Sequence, residues 1–317
     1  MFSTLSPHSR AVLQSLLVTF LWSTSWVLIK LGLRDDIPAL TFAGLRYVLA
    51  FLCLLPLLLR RPADVTALRQ LPRAAWLRLV ALGLLMYSAT QGAQFVGLAY
   101  LPSITVNLLL SLTSLIVAGL GIWLLREHPT GVQWLGVGIY LVGVIIFFFP
   151  LALPQDQLFG ITVVIGGVLA NAASALLGRA VNRAATLSPL AVTVATMGCG
   201  AFVLLAAGIA LQGLPPLSLT SWLLIGWLAV VNTAFAFTLW NRTLRALSAM
   251  ESSIVNNMMM VQIPILAWLF LGEGISLKAG IGFAIAGVGI LIVQVRRLPG
   301  RRGSAAAVLV RQGKAGE

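Results

Sequence analysis

Several sets of polar residues interrupt otherwise apolar stretches of the chain, and their types and spacing set the chemistry open to it. Asn107, Ser111 and Ser114 follow one another at i, i+4 and i+7, which places them on one face of a helix. Tyr87, Gln91 and Gln94 repeat that spacing with Thr90 beside them, and Ser253, Asn257 and Met260 repeat it again with Asn256 alongside. Asn171 and Asn232 stand singly in two further apolar runs. Asn and Gln offer donors and acceptors without charge, so a path lined by them suits a polar or zwitterionic small molecule with an apolar portion. The same residue types also join helices by hydrogen bonds. The stripes are therefore either helix contacts or a cavity lining, and their recurrence in paired positions favours the lining.

Two other features carry chemistry. The stretch "WSTSW" sets Trp22 and Trp26 on either side of Ser23, Thr24 and Ser25, whose hydroxyls can return hydrogen bonds to their own helix. Trp26 lies near the end of its run, where an interfacial aromatic belt explains it as well as a gate or site does; Trp22 lies deeper and is expected to form an apolar wall for the substrate. Arg46 is the one charge well inside an apolar run. It either snorkels outward to pair with Asp35 or Asp36, or it receives an anionic group such as a substrate carboxylate. Pro264 removes a backbone donor and frees the carbonyl near Met260, giving an ordinary kink or a broken helix at a site.

Other chemistries lack their residues. The histidines are His8 and His128, and no Cys, His or Asp spacing fits a metal shell. None of the eight acidic residues is expected at mid-membrane depth, Glu251 coming closest. No G-x-S-x-G, intramembrane aspartate pair or P-loop is present. The expectation is a non-enzyme without catalytic residues, metal or cofactor. Cys53 and Cys199 fall within apolar runs and read as buried small hydrophobes.

The elements that must position these residues follow from composition. Of 317 residues 59% are hydrophobic and 9% charged, against about 25% charged in soluble domains. Ten runs are long enough to read as membrane spans: 11–29, 39–59, 79–98, 103–125, 131–149, 158–178, 187–211, 219–240, 252–271 and 279–295. With both termini on one side, 17 of the 21 Lys and Arg residues share that side, while Lys30, Arg34 and Lys278 face the other. The basic excess is then a topology signal placing both termini in the cytoplasm, and it does not point to nucleic acid. The first run carries bulky Trp22 and Trp26, which suits a span better than a cleaved signal peptide. The basic tail, 298–317, is expected to be a disordered cytoplasmic extension.

An internal repeat organises the runs. At an offset of 146, "LLREHPTGVQWLGVGIYLVGV" aligns with "LFLGEGISLKAGIGFAIAGVG", setting Glu127 on Glu273, Gly136 on Gly282 and Gly143 on Gly289. At an offset of 149, Lys30 falls on Arg179 and Arg34 on Arg183. Five runs per copy is an odd number, so the second copy enters the membrane from the opposite side. The expected fold is an all-α integral membrane protein with ten transmembrane helices as two inverted five-helix repeats, 11–149 and 158–295. The glycine-rich fifth and tenth spans are expected to pack closely rather than to line the path.

The chain resembles the drug/metabolite transporter superfamily, specifically its ten-helix EamA-type members. The likeness rests on "LLVTFLWSTSWVLIKLGL", on "ALTFAGLRYVLAFLCLLPLLL" with its Leu45 and Arg46, and on the Glu127 and Glu273 markers within "LREHPTGVQWLGVGIYLVGV" and "LGEGISLKAGIGFAIAGVGI". It implies a secondary transporter exporting small metabolites, amino acids or amphipathic compounds, across a bacterial inner membrane by alternating access. The rival expectations are exchange or uptake of phosphorylated or nucleotide-linked metabolites, and a membrane sensor that binds without transporting. The expected partners are a small-molecule substrate and membrane lipid, with no nucleic acid, and the expected state is a monomer or homodimer. Where the sixth helix of the family often carries an aromatic residue, this chain has Asn171. The candidate lining is thus Trp22, Trp26, Arg46, Tyr87, Gln91, Asn107, Ser111, Asn171, Asn232, Asn256 and Asn257.

Overall fold

A computed structural model describes residues 6–125, 130–149, 155–183, 187–243, 246–247 and 255–294. Among them every regular element is a helix. In chain order these are α1 (Pro7–Arg34), α2 (Ala39–Leu59), the short α3 (Pro62–Arg69), α4 (Arg73–Tyr100), α5 (Ser103–Leu125), α6 (Gly131–Phe148), α7 (Gln155–Arg183), α8 (Pro189–Gln212), α9 (219–243), α10 (Val255–Leu271) and α11 (Leu277–Gln294). Each apolar run read from the sequence falls on one of these helices. Only α3, short and polar, has no counterpart among them.

Seven of the described helices are long and apolar enough to cross a membrane, and the described parts of α5, α10 and α11 are shorter apolar helices. Local chemistry starts them in the expected way. Ser6, Ser188 and Ser218 each accept a hydrogen bond from the backbone three residues on, and Thr130 with Gln133 forms a reciprocal capping box at the head of α6. α10 ends on Gly272, whose φ of 66° lies in the left-handed region that glycine adopts without strain.

Two helices contain a wider turn. α4 passes through a π segment at Leu84–Thr90, and α9 passes through one at Val230–Phe235. Val230 lies 146 positions after Leu84, the spacing of the internal alignment. In each, a threonine hydroxyl bonds a carbonyl five residues back: Thr90 to Leu85 and Thr233 to Leu228. A π turn offsets the side chains that follow it and often marks a functional position.

The main core gathers Phe42, Tyr47 and Leu54 of α2, Tyr87 and Phe95 of α4, Val164 of α7, Met197 and Leu204 of α8, and Ile225 and Leu228 of α9. α2 and α8 run antiparallel in close contact, with Gly44 against Leu205, Gly208 against Leu40 and Thr41, and Gly198 against Phe51. α6 and α11 also pack antiparallel, through glycines in a self-reciprocal register. Gly136 lies against Gly289 and Val293, and Gly143 lies against Gly282 and Ala286. A Cβ added at Gly136 would come within 2.7 Å of the Val293 nitrogen, and one at Gly282 within 2.7 Å of the Phe147 nitrogen, so backbone meets backbone along this seam. The opposite face of α6 exposes Trp134, Leu135 and Ile145, as a lipid-facing surface requires.

One expectation fails here. Cys53 is exposed and Cys199 half-buried, because each lies on the outward stripe of a helix whose other face fills the core. The tail 298–317, Glu127, His128, Glu251 and Ser253 lie outside the described residues.

Candidate functional site

The π segment of α9 presents two consecutive side chains to two different helices. Asn232, fully buried, turns toward α1, where its Nδ2 donates to the Leu21 carbonyl and, at 3.2 Å, to the Thr24 hydroxyl. Thr233, also fully buried, turns toward α2 and accepts a hydrogen bond from Arg46 Nε at 3.0 Å. Its own proton goes to the Leu228 carbonyl at 2.8 Å, which leaves the oxygen lone pairs for the arginine. The bulge thus ties the tryptophan-bearing helix and the arginine-bearing helix to one short stretch of backbone.

On the α1 side lies an aromatic cluster. The Trp22 ring packs at 5.3 Å from both Phe237 and Trp240 of α9, in tilted geometries that suit aromatic pairs. Two polar atoms here are sealed from solvent and have no hydrogen-bond partner among the described residues: the indole Nε1 of Trp22 and the Oδ1 of Asn232. One is a donor and the other an acceptor. Leaving a buried polar group unpaired costs about 1–3 kcal/mol, so such atoms are usually matched by water or ligand. The hydroxyls of "WSTSW" return to their own helix as expected, Ser23 to Thr19, Thr24 to Leu21 and Ser25 to Trp22. Ser23 Oγ also lies 2.9 Å from Gln262 Oε1 of α10, so its single proton is shared between the two acceptors. Trp26 is only 6% exposed and sits in the core, so the belt explanation does not apply to it.

On the α2 side lies a cationic cluster. Arg46 is 4% exposed, with its guanidinium 5.2 Å from the Tyr47 ring centre and 5.9 Å from that of Phe95. Tyr47 donates its hydroxyl proton to Gln91 at 2.7 Å and packs edge-on against Tyr87 at 5.5 Å. Gln91 and Tyr87, read as cavity residues from spacing, therefore belong to the arginine's surroundings. The expected pairing of Arg46 with Asp35 or Asp36 is absent: among the described residues the ion pair is Arg61 with Asp64. The hydrogen bond to Thr233 and the two rings hold the guanidinium inside the bundle instead of letting it reach the surface.

The α5 stripe behaves differently. Asn107 donates its Nδ2 toward the Met260 carbonyl at 3.5 Å, a long contact to the oxygen that Pro264 deprives of its helical donor. Ser111 donates to Leu108 and shares a 3.0 Å contact with the Tyr140 hydroxyl of α6. Asn171 reaches Thr113 at 3.3 Å. In this structure these three side chains bond helix to helix, because a helical face can meet a neighbouring helix as readily as a cavity. Asn256 is exposed and Asn257 half-buried at the start of α10.

At the end of the bundle where α1 finishes lies a pocket of about 340 Å³ lined by Lys30, Leu33, Arg34, residues 98–102 and Glu273. Lys30 Nζ donates to the Leu98 and Leu101 carbonyls at 2.6 and 2.7 Å, and Arg34 donates to the Leu271 carbonyl at 3.0 Å. Glu273 accepts from the Ser103 backbone N–H at 2.8 Å and from its hydroxyl at 2.9 Å. The corner between α4 and α5 is thereby fastened to α1 on one side and to the end of α10 on the other, a carboxylate sitting where the N-terminus of α5 favours negative charge.

Sequence reasoning missed Thr233, Phe237 and Trp240. The signal available was that they follow Asn232, a polar interruption of an apolar run, by one, five and eight positions. Among the described residues no group of three or more His, Cys, Asp or Glu is placed to hold a metal.

Comparison with known proteins agrees with this architecture. The EamA-like transporter family matches residues 9–149 and 158–295. A protein of Chlamydia trachomatis serovar L2 named S-adenosylmethionine/S-adenosylhomocysteine transporter is 26% identical over 295 residues, spanning 87% of each chain. A transporter of Bacillus subtilis named YoaV is 24% identical over 296 residues, spanning 89% of this chain and 96% of its own. One crystal structure superimposes with a TM-score of 0.64 at 18% identity, covering 92% of this chain and 100% of its own, which shows a shared fold.

Proposed function

From the premise that this chain belongs to the EamA-like transporter family, we propose that it is a secondary transporter that exports a small organic metabolite by alternating access. Membership and the run of apolar helices make it a multi-pass membrane protein of the transporter class. The finer reading is a bacterial inner-membrane protein with ten spans, both termini in the cytoplasm and two inverted repeats over 11–149 and 158–295. The observation that carries it is the self-reciprocal antiparallel seam of α6 and α11, together with π segments 146 positions apart in α4 and α9. Two like units in opposite orientation can rock against each other about a central site, exposing it to one side and then the other. In this frame the Lys30, Arg34 and Glu273 end faces outward and is closed, and the α9 bulge with Trp22 and Arg46 is the site.

The lining supports amino-acid-like cargo: an aromatic wall, neutral polar atoms and one cation. S-adenosylmethionine, named as cargo of the chlamydial relatives, joins the candidates because it combines an α-amino acid end with a flat ring. Phosphorylated compounds are disfavoured, since among the described residues Arg46 is the one buried cation. The test is flux of labelled amino acids and S-adenosylmethionine into liposomes holding the purified protein. Saturable flux of at least one is expected; binding without flux across the panel favours the sensor.

A further inference from the structure

We infer that Arg46 is the seat of an anionic group on the cargo, so that this transporter accepts molecules bearing a free carboxylate and rejects the same molecules with that charge removed. The inference deepens the proposed function and rests on its reading of the α9 bulge as the substrate site.

Three observations carry it. First, the guanidinium is buried and permanently charged, yet no carboxylate of a described residue pairs with it. A buried cation without an anion is a costly arrangement, and in membrane proteins such charges mark binding positions. Second, its protein contacts use one edge and the flat faces only. Nε is spent on Thr233, and the rings of Tyr47 and Phe95 lie within cation–π range. Among the described residues neither Nη group has a hydrogen-bond partner, which leaves the fork that fits a carboxylate in bidentate fashion. Third, the fork is pre-set. Thr233 is oriented by Leu228, and Tyr47 by Gln91, so little ordering remains when an anion arrives.

The neighbouring bulge residue completes the recognition. Among the described residues Asn232 Oδ1 is an unpaired buried acceptor and the Trp22 indole N–H an unpaired buried donor. A cargo whose carboxylate sits on Arg46 can place an ammonium or ring N–H toward Asn232, a lone pair toward Trp22, and its apolar part against Trp22, Phe237 and Trp240. Amines lacking an acid, which the aromatic wall alone would admit, leave the arginine uncompensated and are excluded.

The experiment uses full-length protein in detergent, the proteinogenic L-amino acids and S-adenosylmethionine as probes, and each probe's carboxyl methyl ester as its match. Affinities are measured for the native protein, Arg46→Gln and Arg46→Lys, with thermal unfolding as the control for folding. The native protein should bind at least one acid about tenfold or more tightly than its ester. Arg46→Gln should lose that preference by weakening the acid far more than the ester, and Arg46→Lys should fall between. A purely structural arginine would weaken acid and ester together. Equal binding of acid and ester by the native protein, an acid preference that survives in folded Arg46→Gln, or silence of every acid in the panel would each overturn the inference. Preference that follows Arg46 in a protein showing no flux would instead refute transport and leave the anion seat standing.

Discussion

Removing the Glu273 carboxylate should open the end of the bundle that the structure shows fastened. Glu273 holds the first residue of α5 by two contacts, 2.8 Å to the Ser103 N–H and 2.9 Å to its hydroxyl. Loss of a helix-capping acceptor costs about 0.5–2 kcal/mol. Loss of a negative charge at a helix N-terminus costs about 0.3–1 kcal/mol more, and Glu273 is half-buried, so screening trims only part of it. Together Glu273→Ala should shift the closed-to-open balance by about 1–3 kcal/mol, or about 5- to 150-fold. Lys30 still grips the Leu98 and Leu101 carbonyls, so the shift should grow when Lys30→Ala is added. The assay is a cysteine at Leu101, 1% exposed in the structure, in a background lacking Cys53 and Cys199. In intact cells its reaction with a membrane-impermeant maleimide should quicken within that range in Glu273→Ala. An unchanged rate in a folded variant refutes the reasoning that this carboxylate fastens that end of the bundle.

Further outcomes follow from the same contacts. Trp22→Ala removes the ring lying 5.3 Å from both Phe237 and Trp240 and should weaken cargo binding by about 1.5–3 kcal/mol, or tenfold and more, while Trp22→Phe should keep much of the affinity; titration of binding checks both. Asn107→Leu leaves the Met260 carbonyl without its long contact and should cost stability, by up to about 1–3 kcal/mol, and adding Pro264→Ala should restore it by returning the backbone N–H; thermal unfolding reads the pair. Gly143→Leu drives a side chain into the Gly282 carbonyl, which a Cβ alone would approach to 2.6 Å, and should lower the unfolding temperature and flux, whereas Gly138→Leu, with open space before it, should change neither.

The parts of this fold written in local pattern were legible beforehand. Apolar length placed the helices, and Gly136, Gly143, Gly282 and Gly289 marked α6 and α11 as close-packing helices, though not that they pack on each other. Of the residues gathered at the α9 bulge, Trp22, Arg46 and Asn232 stood out in the sequence, whereas Thr233, Phe237 and Trp240 did not, and Asn107, Ser111 and Asn171 join helix to helix elsewhere. Periodicity states which residues share a helical face, not what that face meets. Ser111 shares a face with Asn107, yet it meets Tyr140 while Asn107 meets Met260. Arg46 looked close enough to one end of its run to snorkel; the hydroxyl of Thr233, 187 positions away and presented by a π turn, keeps it inside. A π turn has no fixed residue signature, so the joint orientation of Asn232 and Thr233 could be found only in three dimensions.

Counterflow tests the central claim most directly. Liposomes containing the protein are loaded with a high concentration of unlabelled cargo, S-adenosylmethionine or whichever acid binds, and diluted into a trace of the same compound carrying label. A carrier that alternates one site between two faces exchanges inner for outer molecules, so label should accumulate transiently above its equilibrium level and then decay. Arg46→Gln, if it retains any transport, should lose the overshoot for acids. Label that only rises to equilibrium, or that enters no faster than into empty liposomes, would contradict transport by alternating access.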